Sequence, residues 1–282
     1  MTEPLPARLY LWERRTLYLG PLRSPVRLSL AASRLLVGLE GEIRFRHCSQ
    51  QQEASARTLL LPVGWQGTLD SGRGRVADCH LDALGFDHAL LRQLASRQEQ
   101  QAGSALQNQA ELLRTFEALS QGDAPAHRVY ERLDQILNPP EWVVRTAFNV
   151  DARILATLQH LKSNTAENLS LVSLARQVGL SPSRLIGLFK QQVGIPIRRY
   201  RLWYRLFRCT QRMTTGTSLT QAALDAGFAD SAHFSRTYRA ILGFYPSALL
   251  SPRARLQVFV DTAGQPAVQA VSSFKPAPRS PR

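Results

Sequence analysis

The chain has 282 residues, of which 44% are hydrophobic and 20% are charged, a composition typical of a globular protein with room for two domains. No apolar stretch approaches the roughly 20 residues that a membrane helix needs, and the N-terminus has no basic segment followed by an apolar core, so we expect neither a membrane span nor a secretory signal. Cys48, Cys79 and Cys209 are too few and too scattered for a disulfide framework, which favours a reducing, cytoplasmic location.

The net charge of +14 is concentrated in one segment of the chain. Residues 151–255 hold 15 Lys and Arg against 4 Asp and Glu, whereas residues 1–150 hold 17 against 16. A basic domain beside a neutral one indicates a polyanion as the partner of the basic half only. Nucleic acid is the favoured polyanion, and an anionic membrane surface is the alternative.

Residues 8–85 have the pattern of β-strands. Leu- and Val-rich runs, some of them alternating, are separated by Gly, Pro and Ser clusters, and turns are indicated at residues 39–42 and 70–74. Short strands at this spacing predict a small barrel or sandwich over residues 1–87.

From Asp87 onward the apolar residues recur at helical spacing, which predicts a helical linker over residues 88–148. These helices either pack on the barrel or, through residues 88–120, pair with a second copy to form a homodimer. The consecutive prolines of NPPEW end the helical region. The tail, residues 251–282, is expected to be partly disordered, with RLQVFVD (255–261) as a candidate strand.

Residues 149–250 contain one pattern twice. VSLARQVGLSPSRLIGLFKQQVG (172–194) and the stretch ending in AGFADSAHFSRTYRAILGF (226–244) each predict a short helix, a turn opened by glycine, and a second helix with one apolar side. This is the helix-turn-helix pattern, in which the second helix lies in the DNA major groove. An αα-hairpin that only builds a core explains two matched copies in the basic half less well.

A single helix is predicted between the two copies, from Pro196 to Met213. At the α-helical rise it spans roughly 27 Å, enough to hold two recognition helices about one turn of DNA, roughly 34 Å, apart. One apolar stripe runs along it, and beside that stripe lie Arg198, Arg201, Arg205, Arg208 and Arg212. Because like charges repel, phosphates are the natural partners of these arginines, although Arg205 could equally brace the neighbouring helices.

Residues 151–250 resemble the DNA-binding domain of the AraC/XylS family of bacterial transcriptional regulators. The matching stretches are LSLVSLARQVGLSPSRLIGLFKQQVG, the RLFRC motif of the linker helix, and SLTQAALDAGFADSAHFSRTYRAILGFYP. The resemblance implies an α+β protein: a small cupin-like β-barrel, a helical linker, and an all-α domain with two helix-turn-helix units joined by a long helix. It also implies a cytoplasmic, nucleoid-associated regulator whose partners are double-stranded DNA and RNA polymerase.

The resemblance assigns groove-facing positions in both units. In the second unit they are Ser231, Ala232, Ser235 and Arg236, and in the first unit they are Ser183, Arg184, Ile186 and Gly187. Arg236 is the strongest candidate for reading a base edge, because a guanidinium can donate two hydrogen bonds to guanine. Arg239 and Lys190 are placed for phosphates. Gly187 stands where family members often carry a larger polar residue, so the first unit is expected either to read sequence weakly, through Ser183 and Arg184, or mainly to hold the DNA backbone.

The control of such a regulator is left open by the sequence. The resemblance implies an effector-binding N-terminal domain, and Trp12, Phe45 and Trp65 are the candidate lining of a small-molecule pocket. The equal alternative is that these side chains only fill the barrel, in which case a partner protein is a further candidate for control.

An enzyme or a metal sensor is the weaker interpretation. Metal-dependent cupins need two histidines one residue apart, a glutamate and a later histidine, because an open metal site needs several N/O ligands on one face. This chain has no His-x-His, and Gly67 stands at the place of the later histidine, so we expect no cofactor, no metal and no catalysis. The pairs His47–Cys48 and Cys79–His80 can each direct one ligand inward, which keeps metal or thiol sensing as an alternative.

Overall fold

The computed structural model describes residues 5–12, 15–22, 25–30, 32–62, 64–72, 74–81, 87, 109–122, 124–138, 150–167, 169–242, 246 and 256–260. The helical spacing predicted over 88–108, the prolines of NPPEW, the Gly-Phe-Tyr run at 243–245 and the tail beyond residue 260 lie outside the described residues.

Two sheets contain the strands of the described ranges. The strands are β1 (Ala7–Leu11), β2 (Thr16–Pro21), β3 (Val26–Ser29), β4 (Arg34–Gly38), β5 (Ile43–His47), β6 (Ala54–Ala56), β7 (Thr58–Leu61), β8 (Gln66–Asp70), β9 (Arg75–His80) and β10 (Leu256–Val260). The larger sheet has the order β10-β1-β2-β9-β4-β7, and the smaller sheet has the order β3-β8-β5-β6. Adjacent strands are antiparallel except β1 and β10, which are parallel. The predicted α+β class is confirmed, but the strands form two sheets and not one closed barrel.

Both faces of the larger sheet are buried. Successive side chains along a strand point to opposite sides, so neighbouring residues of one strand lie in different cores. Leu36 lies in an inter-sheet core together with Phe45 of the smaller sheet and Val76 of β9. Leu35 and Val37, its neighbours in β4, lie in a second core on the other face, here called the helix-side core. The Leu-rich runs are therefore partly continuous because these strands are covered on both sides.

Two helices, α1 (Gln109–Gln121) and α2 (Ala126–Leu137), cover the helix-side core. Phe116 of α1 and Leu133 of α2 are fully buried there. Arg15, at the start of β2, forms a buried ion pair with Asp87 at 2.6 Å and a second ion pair with Asp134 of α2 at 2.7 Å. Of the two arrangements that the sequence left open, the structure shows packing on the sheet, which leaves the pairing of two copies untested.

The described part of the C-terminal domain contains six helices. They are α3 (Ala152–Ser163), α4 (Leu171–Gln177), α5 (Pro182–Val193), α6 (Ile197–Thr214), α7 (Leu219–Asp225) and α8 (Ser231–Leu242). Their apolar sides meet in a third cluster, here called the C-terminal core, which includes Leu158, Leu174, Phe189, Phe207 and Phe234. No helix in the described part of the chain is long and apolar enough to span a membrane.

The C-terminal domain packs on the larger sheet beside the smaller one. Leu9 and Leu11 of β1 belong to the C-terminal core, and Val258 of β10 packs against it. A side-chain hydrogen bond joins α6 to the smaller sheet, since Arg199 Nη2 donates to Ser29 Oγ. One face of the larger sheet is thus shared between the smaller sheet and the C-terminal helices.

Candidate DNA-binding surface

The two helix-turn-helix units have the same capping chemistry. Ser170 and Ser218 cap the first helix of each unit, where each hydroxyl accepts from a backbone N–H, at 3.0 and 3.3 Å. Ser181 and Asp230 cap the second helices in the same way, at 3.3 and 2.5 Å. A cap satisfies a backbone donor that the helix leaves without a partner, so it fixes where each helix begins. Ser218 follows Ser170 by 48 residues and Asp230 follows Ser181 by 49 residues, so this signal was available in the sequence.

Glycine opens the turn in both units. Gly179 and Gly227 have φ angles of 67° and 84°, a left-handed conformation that residues with a Cβ rarely adopt. Residues 178–181 form the first turn and residues 226–230 form the second, so the second turn is one residue longer. The predicted helix-turn-helix pattern is confirmed in both copies.

Two Gly-to-Ala substitutions should change stability in opposite directions. Gly227→Ala forces a left-handed alanine and puts its Cβ 2.9 Å from Arg205 Cζ, so we expect a loss of about 1–3 kcal/mol in unfolding free energy. Gly187 lies inside α5 with open space around its Cα, so Gly187→Ala should add about 0.5–1 kcal/mol. Chemical denaturation of both variants measures the two values, and a common sign would contradict this account.

The second helix of the first unit, α5, buries one side and exposes the other. Leu185, Leu188 and Phe189 are buried. The predicted positions of this unit, Ser183, Arg184, Ile186, Gly187 and Lys190, are all exposed. Ile186, a large apolar side chain, is 46% exposed on this side of the helix. The exposed side of α5 therefore carries two cations, Arg184 and Lys190, and the exposed residues Ile186 and Gly187 between them have no polar side-chain atoms.

The second unit presents more polar groups on the exposed side of α8. Ala232, Arg236 and Arg239 are exposed, while Ser231 and Ser235 are half-buried. The Ser235 hydroxyl donates to the Ser231 carbonyl at 2.8 Å, so it is already used within the helix. The Arg236 side chain makes no hydrogen bond or ion pair with any residue that the structure describes, which leaves its guanidinium available to a ligand.

The arginines of α6 are not one uniform stripe. Arg198 is exposed, whereas Arg201 is half-buried and donates to the Leu169 carbonyl at 2.8 Å. Arg208 is half-buried and donates to Gln211 Oε1 at 2.8 Å. Arg212 forms an ion pair with Asp225. The repulsion that phosphates were expected to offset is therefore relieved in part by groups of the protein itself.

Arg205 differs from the other arginines because it is buried, with 8% of its surface exposed. Its guanidinium donates to the carbonyls of Thr165 at 2.9 Å, Gly227 at 2.8 Å and Glu167 at 3.3 Å. Burial, helped by the charge of Arg201, lowers the pKa of Arg205. This geometry corresponds to the bracing role that the sequence left open, because the guanidinium donates to backbone carbonyls of two separate segments of the chain.

Aromatic side chains explain why α6 is buried on most of its circumference. Tyr200 packs edge-on against Phe189 of α5 at 5.8 Å between ring centroids, and Trp203 stacks with Phe207 at 6.2 Å. Cys209 is fully buried in the same core, and burial raises the pKa of its thiol to about 12. The sequence pattern predicted one apolar stripe along this helix but not this second apolar side, although the aromatic spacing indicates it. The predicted stripe is formed by Leu202, Leu206, Cys209 and Met213.

A cleft of about 730 Å³ lies between the two units, with α6 as its floor. Ile186 of the first unit, His233 of the second unit, and Arg198 and Arg201 of α6 line it. The cleft therefore brings two cations of α6 next to residues of both units, while most of its other lining side chains are apolar.

The aromatic residues predicted to line an effector pocket do not come together. Phe45 and Trp65 are buried in the inter-sheet core, whereas Trp12 is buried in the helix-side core against Tyr10 and Tyr130. The larger sheet lies between the two sites, so the three side chains cannot line one cavity. The single pocket predicted from these residues is wrong.

Of the two Cys–His pairs, Cys79 and His80 follow the predicted alternation. Cys79 lies in the helix-side core, and His80 lies on the opposite face of β9. Burial raises the pKa of the Cys79 thiol and lowers that of His80 well below its usual value. Cys48 is exposed. Within the described ranges no group of three or more His, Cys, Asp or Glu side chains is placed to hold a metal ion.

Sequence comparison identifies a known domain in the basic half. A family model described as a helix-turn-helix domain matches residues 174–252. The arabinose operon regulatory protein of Escherichia coli K12 is 31% identical over 122 residues, which are 43% of this chain and 39% of that protein. The activator RhaS of Citrobacter koseri is 31% identical over 158 residues, 54% of this chain and 57% of that protein. Residues 174–252 are an AraC-type helix-turn-helix domain.

The fold around the AraC-type domain also has solved counterparts. An apo form of ToxT from Vibrio cholerae strain SCE256 superposes with a TM-score of 0.56 at 14% identity, covering 84% of this chain and 97% of ToxT. ToxT from strain O395 gives 0.53 at 13% identity over the same share of this chain. Another ToxT structure, with a TM-score of 0.50 at 13% identity, holds an unsaturated fatty acid. At these identities the likeness to ToxT shows a shared α+β fold. The sequence relatives named above match this chain over only 39% and 57% of their own length.

Proposed function

We propose that the chain is a sequence-specific DNA-binding regulator of transcription. The observation that carries this proposal is the pair of capped helix-turn-helix units clamped to one buried helix, with the exposed sides of α5 and α8 carrying cations. A core-building hairpin would need neither the matched turns nor the exposed arginines. The names of the relatives, an operon regulator and a transcriptional activator, support the same function.

The residues divide into three roles under this proposal. Arg236 reads a base edge in one major groove, while Ser231, Ala232 and Ser235 set how closely α8 approaches it. In the first unit Ser183 and Arg184 contact a second groove, and Gly187 offers no side chain. The cations placed for phosphates are Lys190, Arg198, Arg201, Arg208 and Arg239. Arg205 takes no part in the contact, because its donors are bound to carbonyls.

The proposed division of the chain follows the sequence boundaries. Residues 1–87 form the regulatory domain, residues 88–148 link it to the DNA-binding domain at 149–250, and residues 251–282 form the tail. The proposed setting is the bacterial cytoplasm, at the nucleoid, with RNA polymerase as a further partner. The homology to regulators supports a non-enzymatic role, in which the chain needs no cofactor.

The proposed signal is a small molecule bound by the N-terminal half. The unsaturated fatty acid bound to ToxT, whose fold this chain shares, supports this type of signal. The alternatives are control by a partner protein, for which a second copy of the chain is one candidate, and control by metal or thiol chemistry. A thermal-shift screen of the full chain with metabolites and divalent metals separates them. Stabilisation by a metabolite supports the effector, stabilisation by Zn²⁺ or Fe²⁺ supports the metal, and no stabilisation supports a partner protein.

Selection of bound sites from random duplex DNA tests the function itself. The expected result is one enriched motif whose most constrained bases fall in one major groove, with weaker constraint one helical turn away. No enrichment at low salt would overturn the proposed function, and enrichment of two equally constrained halves would overturn the weak role given to the first unit.

Arg208→Ala should weaken binding to every duplex alike. Loss of one phosphate contact should reduce the slope of log affinity against log salt by about one unit, because one fewer counterion is released. Salt titration of binding to the selected site and to an unselected duplex measures both slopes. Weakening confined to the selected site would contradict the phosphate role.

A further inference from the structure

Strand β10 follows the AraC-type domain in the chain but belongs to the N-terminal sheet. Its residues pair in parallel with β1, with Leu9 opposite Val258. It is the edge strand of the larger sheet, and β1 is its sheet neighbour. The backbone of the chain therefore returns to the N-terminal sheet after leaving the last helix of the DNA-binding domain.

Strand β10 contacts the C-terminal core on one face of the sheet, the helix-side core on the other face, and β1 beside it. Leu256 and Val258 pack against the C-terminal core, and the Phe259 ring stacks on Tyr10 at 4.7 Å on the helix side of the sheet. Arg8 Nε donates to Gln257 Oε1 at 3.2 Å. Removing β10 from β1 would thus uncover apolar surface on both sides of the sheet edge and detach the C-terminal core from part of its support.

The packed arrangement also engages the second recognition helix. Helix α8 lies against β3 of the smaller sheet, and Arg199 of α6 is hydrogen-bonded to Ser29 at the end of β3. A helix with side chains is about 10–12 Å across and the major groove is about 12 Å wide, so the groove walls close around a recognition helix. Because β3 lies against α8, it occupies space that one wall of the major groove would need.

We propose that β10 is a latch that holds the AraC-type domain on the larger sheet in an arrangement of low DNA affinity. Lifting β10 from β1 releases α8 from β3 and lets both recognition helices adjust to the duplex. An edge strand suits this role because it is bonded to the sheet on one side only, so it opens more easily than a central strand. The latch rests on the proposed DNA-binding function.

The test compares two single substitutions in β10 of the full-length chain. Val258→Glu puts a carboxylate against the C-terminal core and should open the latch, whereas Gln257→Glu adds the same charge at an exposed position that still accepts from Arg8. Added negative charge by itself weakens DNA binding. We therefore expect Val258→Glu to gain about tenfold in affinity for the selected duplex, a usual size for coupling between sites, and Gln257→Glu to gain none.

A chain ending at residue 255 is the second variant, and circular dichroism checks that both variants keep their helices. It should show the same gain as Val258→Glu, although it loses net positive charge with the tail. In the wild type, DNA should speed hydrogen exchange at residues 7–11 and 256–260. Unchanged or lower affinity in both folded variants would overturn the latch alone, whereas no binding to duplex by any form, wild type included, would overturn the proposed function with it.

Discussion

Arg205→Met is expected to unfold the DNA-binding domain more readily without acting on DNA directly. The substitution keeps the apolar stem but leaves the part-buried carbonyls of Thr165, Gly227 and Glu167 without their charged donor. Hydrogen bonds that involve a charged group contribute about 1.5–3 kcal/mol each, and partial exposure to water reduces the sum over the three bonds, so we expect a loss of about 2–4 kcal/mol in the unfolding free energy. Thermal and chemical denaturation measure it.

Arg208→Met is the matched control for this result. It removes the same charge from the same helix, but the lost hydrogen bond joins two half-buried side chains, so the unfolding free energy should fall by less than about 1 kcal/mol. If Arg205→Met kept the stability of the wild type and only weakened DNA binding, the arginine would be a phosphate contact after all and the bracing role would be wrong.

Arg236→Ala should cost about 1–3 kcal/mol in binding to the selected site and relax the preference at one base pair. The stability of the protein should not change, because Arg236 is exposed and bonds to no residue in the described ranges. Competition binding against single-base variants of the site measures both effects.

Arg236→Lys separates base reading from charge. Lysine keeps the positive charge but lacks the planar fork that donates two hydrogen bonds to guanine. This variant should bind unselected duplex as tightly as the wild type while losing preference at the same base pair. If it kept the full preference, Arg236 would act as a phosphate contact, and the base would be read by another residue of α8.

The C-terminal domain was predictable because its signals are local and repeated. Gly179 and Gly227 occupy equivalent turns, and the apolar residues of each second helix recur every three or four positions. Such signals act within one helical turn, where the covalent chain already sets the geometry. The same locality explains why the caps Ser181 and Asp230 could have been predicted as well.

The arginines of α6 show where local spacing fails. Arg198 and Arg205 are two helical turns apart and so lie on the same side of α6, yet Arg198 is exposed and Arg205 is buried, with 8% of its surface exposed. What distinguishes them is the loop carrying Thr165 and the turn at Gly227, which approach α6 from distant parts of the chain. A pattern along one helix carries no information about which backbone carbonyls surround it.

The sequence by itself determined the two helix-turn-helix units, the helix between them, the β-rich N-terminal half and the concentration of positive charge. Only the tertiary structure decided that Trp12 and Trp65 lie on opposite faces of one sheet, that Arg205 is internal, and that Leu256–Val260 returns to pair with Ala7–Leu11. The reason is physical: helix periodicity, turns and charge are properties of neighbouring residues, whereas sheet order and burial depend on contacts between segments up to 249 positions apart.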